Sequence, residues 1–256
     1  MAMKSEGKKI TMMTAYDYAT GMLCEKAGMD TILVGDSLGM TVLGYSSTVF
    51  VTMDEMLHHT KAVVRGAGST FIISDLPFGS YNVSPEQAIV NSTRMLQEGG
   101  ADAVKLEGGT EIAETVRSVV KGGIPVLGHI GLTPQTVTQL GGFKVQGRTE
   151  ETAAKLVKDA KALEAAGAFG VVLECIPSDL AKRITEAVSI PTIGIGAGIH
   201  CDGQVLVYND VVGLFDKFKP KFVKQYVKLD DIIVKGLEQY ALEVKQGQFP
   251  DEEHSF

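Results

Sequence analysis

The chain has 256 residues, of which 45% are hydrophobic and 21% are charged, and its formal net charge is −7. That length suits one α/β barrel or two smaller domains, and the chain is long enough to fold without disulfides. The acidic balance and the lack of any Lys/Arg block argue against nucleic acid or an anionic membrane as a partner. The three cysteines show no C-x-x-C spacing and no apolar stretch reaches a membrane-spanning length, so the sequence predicts a cytoplasmic protein.

Short apolar runs alternate with helical patterns along most of the chain. The predicted strands span residues 9–15, 31–37, 70–77, 101–108, 124–131, 169–177, 190–198 and 204–210. Helical patterns lie near residues 17–28, 53–66, 84–99, 110–121, 149–166 and 178–187, and C-terminal helices are predicted over about 221–246, before a short polar tail. Eight apolar strands in β–α alternation predict a single (β/α)8 TIM barrel domain over residues 1–256, with an open doubly wound sheet as the alternative.

Two of the predicted helices begin with capping signals. Ser84 is followed by Pro85 at the first helical position and by Gln87 three residues after the Ser. Thr52 is followed by Glu55, which is the spacing of a capping box. These signals mark where the two helices begin.

Ionisable residues stand at or near the carboxyl ends of five successive predicted strands. They are Asp36, Asp75, Lys105 with Glu107, His129 and Glu174. A single acidic residue after a strand is usually a helix cap or a turn residue, but five strands in succession need a common explanation. Because the active site of a (β/α)8 barrel is built at the carboxyl ends of its strands, these residues predict one shared site.

Three of these residues, Asp36, Asp75 and Glu107, are carboxylates on neighbouring strands. At about 4 Å each like-charge pair would cost about 4 kcal/mol at an effective dielectric constant of 20. A hard divalent cation removes that repulsion, and ligands that are all oxygen suit Mg²⁺. Zinc is disfavoured because the chain offers few grouped His or Cys ligands.

Lys105 and Glu107 lie two residues apart, so their side chains share one face of the strand. The ordinary interpretation of Lys105 is a salt bridge to a neighbouring carboxylate. A second is that this cation, beside a bound metal, binds an anionic substrate or stabilises a developing enolate oxygen. A third is a Schiff-base role. Metal and lysine together predict an α-keto acid as substrate, with Glu174 as the general base that removes the proton next to the ketone.

Two predicted βα loops, residues 38–51 and 131–148, are longer than usual. The second contains Gly141-Gly142 as a candidate hinge, with Lys144 and Arg148 nearby. We expect it to close over the site or to hold the anionic tail of a co-substrate. The glycines of IGIGAG (193–198) lack the G-x-G-x-x-G spacing of a dinucleotide loop and predict tight packing at a strand end.

Several long motifs, in order, carry a resemblance to a known family. They are TAYDY (14–18), ILVGDSLGM (32–40), DLPFGSY (75–81), DAVKLEGG (102–109), GHIGLTPQ (128–135), LGGFKVQGRT (140–149), LECIP (173–177), IGIGAG (193–198) and CDGQVLV (201–207). Over nearly its whole length the chain resembles the ketopantoate hydroxymethyltransferase family. The resemblance implies a barrel of the phosphoenolpyruvate mutase/isocitrate lyase type and a homo-oligomer such as a decamer.

The resemblance also implies a reaction. The family transfers a hydroxymethyl unit from 5,10-methylenetetrahydrofolate to 3-methyl-2-oxobutanoate, through a Mg²⁺-stabilised enolate. The products are 2-dehydropantoate and tetrahydrofolate, in the first step of pantothenate biosynthesis.

Residue by residue, the resemblance assigns roles to the same strand-end positions. Asp36 and Asp75 match the Mg²⁺ ligands, and Glu107 matches an acid that holds the metal through water. The positions that match contacts to the keto acid are Asp36, Ser37, Asp75 and Lys105, with His129 as a supporting pocket residue. Glu174 matches the proton acceptor.

Three other functions remain as alternatives. A lyase or mutase of the same superfamily would act on another oxo acid, and a metal-dependent pyruvate aldolase would not need folate. A non-catalytic paralogue would have lost at least one of five strand-end residues, all of which are present: Asp36, Asp75, Lys105, Glu107 and Glu174.

Overall fold

A computed structural model describes residues 1–214 and 220–256. They form two compact units, Met1–Val207 and Tyr208–Phe256. The first unit is a closed barrel of eight parallel strands in which each strand pairs with the next and β8 pairs with β1. The strands are β1 (Ile10–Thr14), β2 (Thr31–Val34), β3 (Phe71–Asp75), β4 (Ala103–Glu107), β5 (Val126–Gly131), β6 (Gly170–Glu174), β7 (Thr192–Ile195) and β8 (Gly203–Leu206). This confirms the predicted barrel and excludes the open sheet.

Helices connect the strands, and every helical pattern found between predicted strands is confirmed. In the first unit they are α1 (Ala2–Ser5), α2 (Tyr18–Lys26), α3 (Leu38–Thr41), α4 (Met53–Gly66), α5 (Pro85–Gln97), α6 (Ala113–Lys121), α7 (Glu150–Ala166) and α8 (Ser178–Ala187). Short 3-10 helices span Thr48–Phe50, Thr110–Ile112 and Pro134–Thr136. Thr52 and Glu55 cap α4 reciprocally, and the Ser84 side chain accepts a hydrogen bond from Gln87 N, as predicted.

The second unit contains α9 (Tyr208–Val212) and α10 (Leu229–Gln246). Two predictions are corrected here. The last strand ends at Leu206 instead of 210, because Asn209 and Asp210 are poor strand formers and lie in α9. The C-terminal helical range begins at Leu229 instead of about 221, because Tyr226 N donates to Val211 O and so takes no part in a helical ladder. The single-domain organisation over residues 1–256 stays a prediction.

The barrel interior holds an apolar layer with one residue from each strand. Its members are Met12, Leu33, Ile73, Ala103, Leu127, Val172, Ile193 and Val205. All are buried, and burying a Val, Leu, Ile or Met side chain contributes about 1.5–3 kcal/mol. Because strand side chains alternate, the residues two positions later on the same strands also face the interior, one layer nearer the carboxyl ends.

At the amino ends of the strands lies a mostly apolar cavity of about 260 Å³. Met3 of α1 and the preceding Met1 line this cavity. Residues at or just before the strand starts, such as Ile10 and Phe169, also line it. Lys4 of α1 secures this end, since its Nζ donates to the carbonyls of Thr185, Val188 and Ile190 and pairs with Asp202 at 3.0 Å. In the parts of the chain that the structure describes, no helix is both long and apolar enough to cross a bilayer.

The IGIGAG segment packs tightly, as expected. A Cβ on Gly198, whose φ is +79°, would lie 2.2 Å from Ser178 Oγ at the start of α8. The glycine therefore allows a close approach between the β7 end and α8.

Candidate active site

The inward-facing positions just beyond the apolar layer are ionisable on four adjacent strands. Asp75, Lys105, His129 and Glu174 follow Ile73, Ala103, Leu127 and Val172 by two residues each, and Glu107 is the next inward position on β4. Strand register places Asp75 beside Lys105 and Glu107 beside His129. The structure thus brings the predicted strand-end residues together at the carboxyl end of the barrel.

Lys105 lies at the centre of this cluster, with its side chain only 4% exposed. Its Nζ is 3.2 Å from Asp75 Oδ1, 3.6 Å from Glu107 Oε1 and 3.1 Å from His129 Nδ1. Burial lowers the pKa of Lys105, but the carboxylates of Asp75, Glu107 and Asp36 outweigh burial and hold that pKa above its usual range. Lys105 is therefore a fixed positive charge, and its nearest carboxylate is Asp75 instead of Glu107.

Asp36 and Asp75 are adjacent buried carboxyl groups that repel each other when both are ionised. Asp36 N donates to Asp75 Oδ2 at 3.0 Å, while Asp75 Oδ1 is buried and receives no well-oriented hydrogen bond although it lies near Lys105. Burial raises the pKa of Asp36 well above its usual value, and the neighbouring Asp75 and Glu107 charges raise it further. The pKa of Asp75 is also raised by burial, which Lys105 offsets only in part.

Glu107 is the most strongly stabilised carboxylate of the three. Its Oε2 accepts a hydrogen bond from Gln135 N at 3.0 Å, and its Oε1 lies 3.4 Å from His129 Nδ1. Burial raises its pKa, but Lys105 and His129 reverse that effect, so the pKa of Glu107 lies below its usual value. Glu107 is therefore ionised.

His129 connects the buried cluster to Glu174, and Nε2 lies 3.2 Å from Glu174 Oε2. Burial and Lys105 lower the pKa of His129, whereas Glu107 and Glu174 outweigh them and raise it to about 9. Because an ammonium group can only donate, the Lys105 contact makes Nδ1 an acceptor when the ring is neutral. In either protonation state Nε2 carries a proton and faces Glu174.

Glu174 occupies the open edge of the cluster. Its side chain is 16% exposed, against 2% for Asp75 and Glu107. It is the last residue of β6, and Cys175 after it has a positive φ of 48°, so the backbone turns sharply there. A residue held in this region is strained, and such strain is typical of functional sites.

Ser37 lies next to the cluster, at the N-cap position of α3 and directly after Asp36. Its Oγ is 2.8 Å from the hydroxyl of Tyr16, which is itself buried. Ser37 therefore directly follows Asp36 in the sequence, and its hydroxyl group contacts Tyr16.

Two residues of the site were missed in the sequence, namely Tyr81 and Gln135. Gln135 Nε2 donates to Asp36 Oδ2 at 2.8 Å and to Leu76 O at 2.9 Å, and its Oε1 lies 2.7 Å from the Tyr81 hydroxyl. The Tyr81 hydroxyl also contacts both backbone polar atoms of Glu107. Both residues fall inside the motifs DLPFGSY and GHIGLTPQ, which is the signal that could have identified them.

The loop at 131–148 is tied to the end of β6 at both of its ends. Leu132 N donates to Glu174 O at 2.8 Å, and Gln146 N donates to Cys175 O at 2.8 Å. A Cβ on Gly131 would lie 2.2 Å from Glu174 O, so only glycine permits this approach. The loop thus begins and ends beside Glu174.

The donor set fits a hard cation bound by few protein ligands. Asp75 Oδ1 is a buried carboxylate oxygen without a well-oriented donor, and three carboxylates face one lysine. Among residues 1–214 and 220–256, no three His, Cys, Asp or Glu side chains converge as a ready metal cage. A cation here would bind one or two carboxylates directly, and water or substrate oxygens would supply its other ligands. This is the coordination typical of Mg²⁺.

Comparisons with known proteins show which family the chain belongs to. The model of the family Ketopantoate hydroxymethyltransferase matches residues 1–252. A relative from Moorella thermoacetica, named 3-methyl-2-oxobutanoate hydroxymethyltransferase, is 63% identical over 255 residues and covers 100% of this chain and 95% of its own.

Solved structures that resemble the chain share its fold at low sequence identity. A 2,3-dimethylmalate lyase of the PEP mutase/isocitrate lyase superfamily has a TM-score of 0.63 at 16% identity, covering 99% of this chain and 89% of its own. Phosphonopyruvate hydrolase, crystallised with oxalate and Mg²⁺, has a TM-score of 0.63 at 14% identity, covering 99% of this chain and 90% of its own. The chain therefore shares its fold with these proteins, and the family match over residues 1–252 shows that it belongs to the ketopantoate hydroxymethyltransferase family.

Proposed function

We propose that this protein transfers a one-carbon unit from 5,10-methylenetetrahydrofolate to 3-methyl-2-oxobutanoate, giving 2-dehydropantoate and tetrahydrofolate in the first step of pantothenate synthesis. Family membership supports the hydroxymethyltransferase activity. The observation that carries the mechanism is the placement of Glu174, a partly exposed carboxylate, beside a buried cluster that combines three carboxyl groups with a fixed lysine.

Asp36 and Asp75 would hold Mg²⁺ directly, and Glu107 would hold it through water. When bound, the ion would take the carboxylate and ketone oxygens of the keto acid and stabilise negative charge on the ketone oxygen. The close approach of the Asp36, Asp75 and Glu107 carboxyl groups, which raises the pKa of Asp36, supports this assignment, as does the Asp75 oxygen that lacks a well-oriented donor.

Lys105, Ser37 and His129 would bind and orient the keto acid. Lys105 is a fixed charge whose ammonium is already paired with Asp75, so it needs little reorganisation as negative charge develops. Ser37 offers a hydroxyl at the rim, which Tyr16 holds in place. His129 lies beside Glu174, with Nε2 3.2 Å from Glu174 Oε2 but without a well-oriented hydrogen bond between them.

Glu174 would remove the C3 proton of the keto acid. C3 then forms a carbon–carbon bond to the methylene carbon of the folate, both bonds from that carbon to the two folate nitrogens break, and water supplies the hydroxyl oxygen. The proton taken from C3 and one proton of that water end on the two nitrogens, which gives tetrahydrofolate. The loop at 131–148 borders Glu174 at both ends, so we assign to it the closure over the keto acid or the binding of the folate tail.

The remaining proposals concern the setting of the protein. We propose a cytoplasmic homo-oligomer that binds neither nucleic acid nor membranes. The net charge of −7 and the lack of a Lys/Arg block support the absence of polyanionic partners. Size-exclusion chromatography with light scattering would measure the oligomeric state, and a decamer is the expected result.

One assay tests the proposed function. The protein is incubated with 3-methyl-2-oxobutanoate and 5,10-methylenetetrahydrofolate, with Mg²⁺ or with EDTA, and tetrahydrofolate and 2-dehydropantoate are quantified. We expect stoichiometric release of both products only with Mg²⁺. Cleavage of the keto acid without folate would favour a lyase or aldolase, and no turnover under any condition would favour a non-catalytic paralogue.

A further inference from the structure

Gln135 lies outside the barrel strands but is as deeply buried as the acids that it contacts, with 3% exposure. It belongs to the short 3-10 helix Pro134–Thr136 in the loop after β5. Both of its amide groups, in the backbone and in the side chain, donate to carboxylates of the cluster: backbone N to Glu107 Oε2 and Nε2 to Asp36 Oδ2. One loop residue therefore holds one oxygen of each of two acids that come from different strands.

The orientation of the Gln135 side chain is determined by its neighbours. Asp36 Oδ2 and Leu76 O are both acceptors, so the NH₂ group must face them. Turning the amide over would place a carbonyl oxygen against a carboxylate and another carbonyl. The contact to Asp36 is therefore a donated hydrogen bond that depends on this amide.

Tyr81 fixes the other end of the same amide. Its hydroxyl lies 2.7 Å from Gln135 Oε1, and it accepts a hydrogen bond from Glu107 N at 3.2 Å. Because Glu107 N donates to the phenol oxygen, the hydroxyl proton is left for an acceptor, and Gln135 Oε1 is the nearer of the two acceptors that it reaches. Tyr81 and Gln135 thus form one hydrogen-bonded frame around Glu107.

We infer that Gln135 is a positioning residue for the cation site. It fixes the Asp36 and Glu107 carboxylates, and Tyr81 holds its side-chain amide in place. This inference rests on the proposed Mg²⁺ site. Hydrogen bonds to the distal oxygens of metal ligands set ligand orientation, and their loss costs about 10–100-fold in metal affinity or activity. Because Gln135 belongs to the loop at 131–148, the same contacts connect the position of that loop to the cation site.

The test measures Mg²⁺ binding directly, by isothermal titration calorimetry in the absence of substrates. Gln135→Met keeps the length and burial of the side chain but removes the amide, and we expect Mg²⁺ affinity to fall about 10–100-fold. Tyr81→Phe removes only the hydroxyl and should weaken Mg²⁺ binding less. Gln97→Met, at an exposed position near the end of α5, is the matched control and should bind Mg²⁺ like the wild type.

A second readout separates positioning from a general loss of structure. Near-UV circular dichroism and thermal melting without Mg²⁺ report whether each variant folds, and the rise in melting temperature on adding Mg²⁺ reports binding. We expect folded Gln135→Met protein with a diminished Mg²⁺-dependent rise. If that variant does not fold, unchanged Mg²⁺ affinity in Tyr81→Phe overturns the inference.

The outcomes distinguish this inference from the proposed function. Wild-type Mg²⁺ affinity in folded Gln135→Met protein overturns the positioning role and leaves the proposed function intact. If the wild-type protein itself binds no Mg²⁺, both the positioning role and the metal assignment fall.

Discussion

The two ends of the barrel are built on the same strands but have opposite chemistry. At the amino end the strand starts surround an apolar cavity that α1 borders and Lys4 secures. Next to this cavity lies the apolar layer, with one residue from each strand. Two residues after that layer, on four of the strands, the interior holds acids, a lysine and a histidine. Two residues along a strand thus separate a layer that stabilises the fold from a layer that carries the chemistry. We expect substitutions at the amino end to lower stability alone, and substitutions at the carboxyl end to change activity.

The largest effect is expected from Lys105→Met. Removing one partner from a buried ionic cluster costs about 3–5 kcal/mol, because the remaining charges are left uncompensated. Urea unfolding of the metal-free protein would measure this loss, and added Mg²⁺ should recover part of it. Wild-type stability in this variant would show that Lys105 does not balance the acids.

The same variant has a predicted pH dependence. Without Lys105, burial and mutual repulsion raise the carboxylate pKa values further above those of the unfolded chain. Groups with a raised pKa in the folded state contribute stability at low pH that is lost as pH rises through that pKa. The free energy of unfolding of Lys105→Met should therefore fall more steeply than that of the wild type as the pH rises above 3.8, the ordinary pKa of an Asp side chain. Parallel profiles would contradict this.

Glu174→Gln should come next. The amide keeps the shape of the side chain but cannot accept a proton, so turnover should fall by about 10²–10⁴-fold, the range attributed to general base catalysis. Mg²⁺ affinity and the melting temperature should stay near wild type, since Glu174 lies at the edge of the cluster. Glu151→Gln, at an exposed position in α7, is the matched control. Equal activity of the two variants would remove Glu174 from the mechanism.

In the apolar layer, Ile193→Ala should change stability without changing the chemistry. Ile193 is 3% exposed and lies on β7, which supplies none of the predicted site residues. Truncation of a buried Ile costs about 2–5 kcal/mol, and chemical denaturation would measure it. The turnover number of the folded fraction should match the wild type. A large fall in that number would mean that the two layers are not independent.

The smallest effect is expected from Lys4→Met at the amino end. Lys4 donates to three carbonyls and pairs with Asp202 while only partly buried, so we expect a loss of about 1–3 kcal/mol in the free energy of unfolding and no change in turnover. Lys8→Met is the control, because Lys8 forms a surface pair with Glu6 that is worth about 0–1 kcal/mol. Equal stability of the two variants would show that α1 does not secure this end.

Sequence patterns predicted most of the barrel and most of the site because both depend on local periodicity. Apolar runs identified all eight strands, and the two-residue repeat placed Lys105 and Glu107 on one face. The contacts of Gln135 and Tyr81 depend on how two loops fold back over the strand ends, which no local pattern encodes. The contact of Lys105 to Asp75 depends on the register between β3 and β4, which the spacing of Lys105 and Glu107 along one strand does not give. The error at residues 208–210 arose where an apolar run continued past the last strand into α9.

The most direct test of the central claim is hydrogen exchange at C3 of 3-methyl-2-oxobutanoate. The keto acid is incubated in deuterium oxide with Mg²⁺ and the protein, without folate, and loss of the C3 proton signal is followed by NMR. We predict enzyme-dependent exchange with the wild type and none above background with Glu174→Gln, although the variant still binds Mg²⁺. Wild-type exchange rates in Glu174→Gln, or no exchange with the wild type, would contradict the assignment of Glu174 as the base.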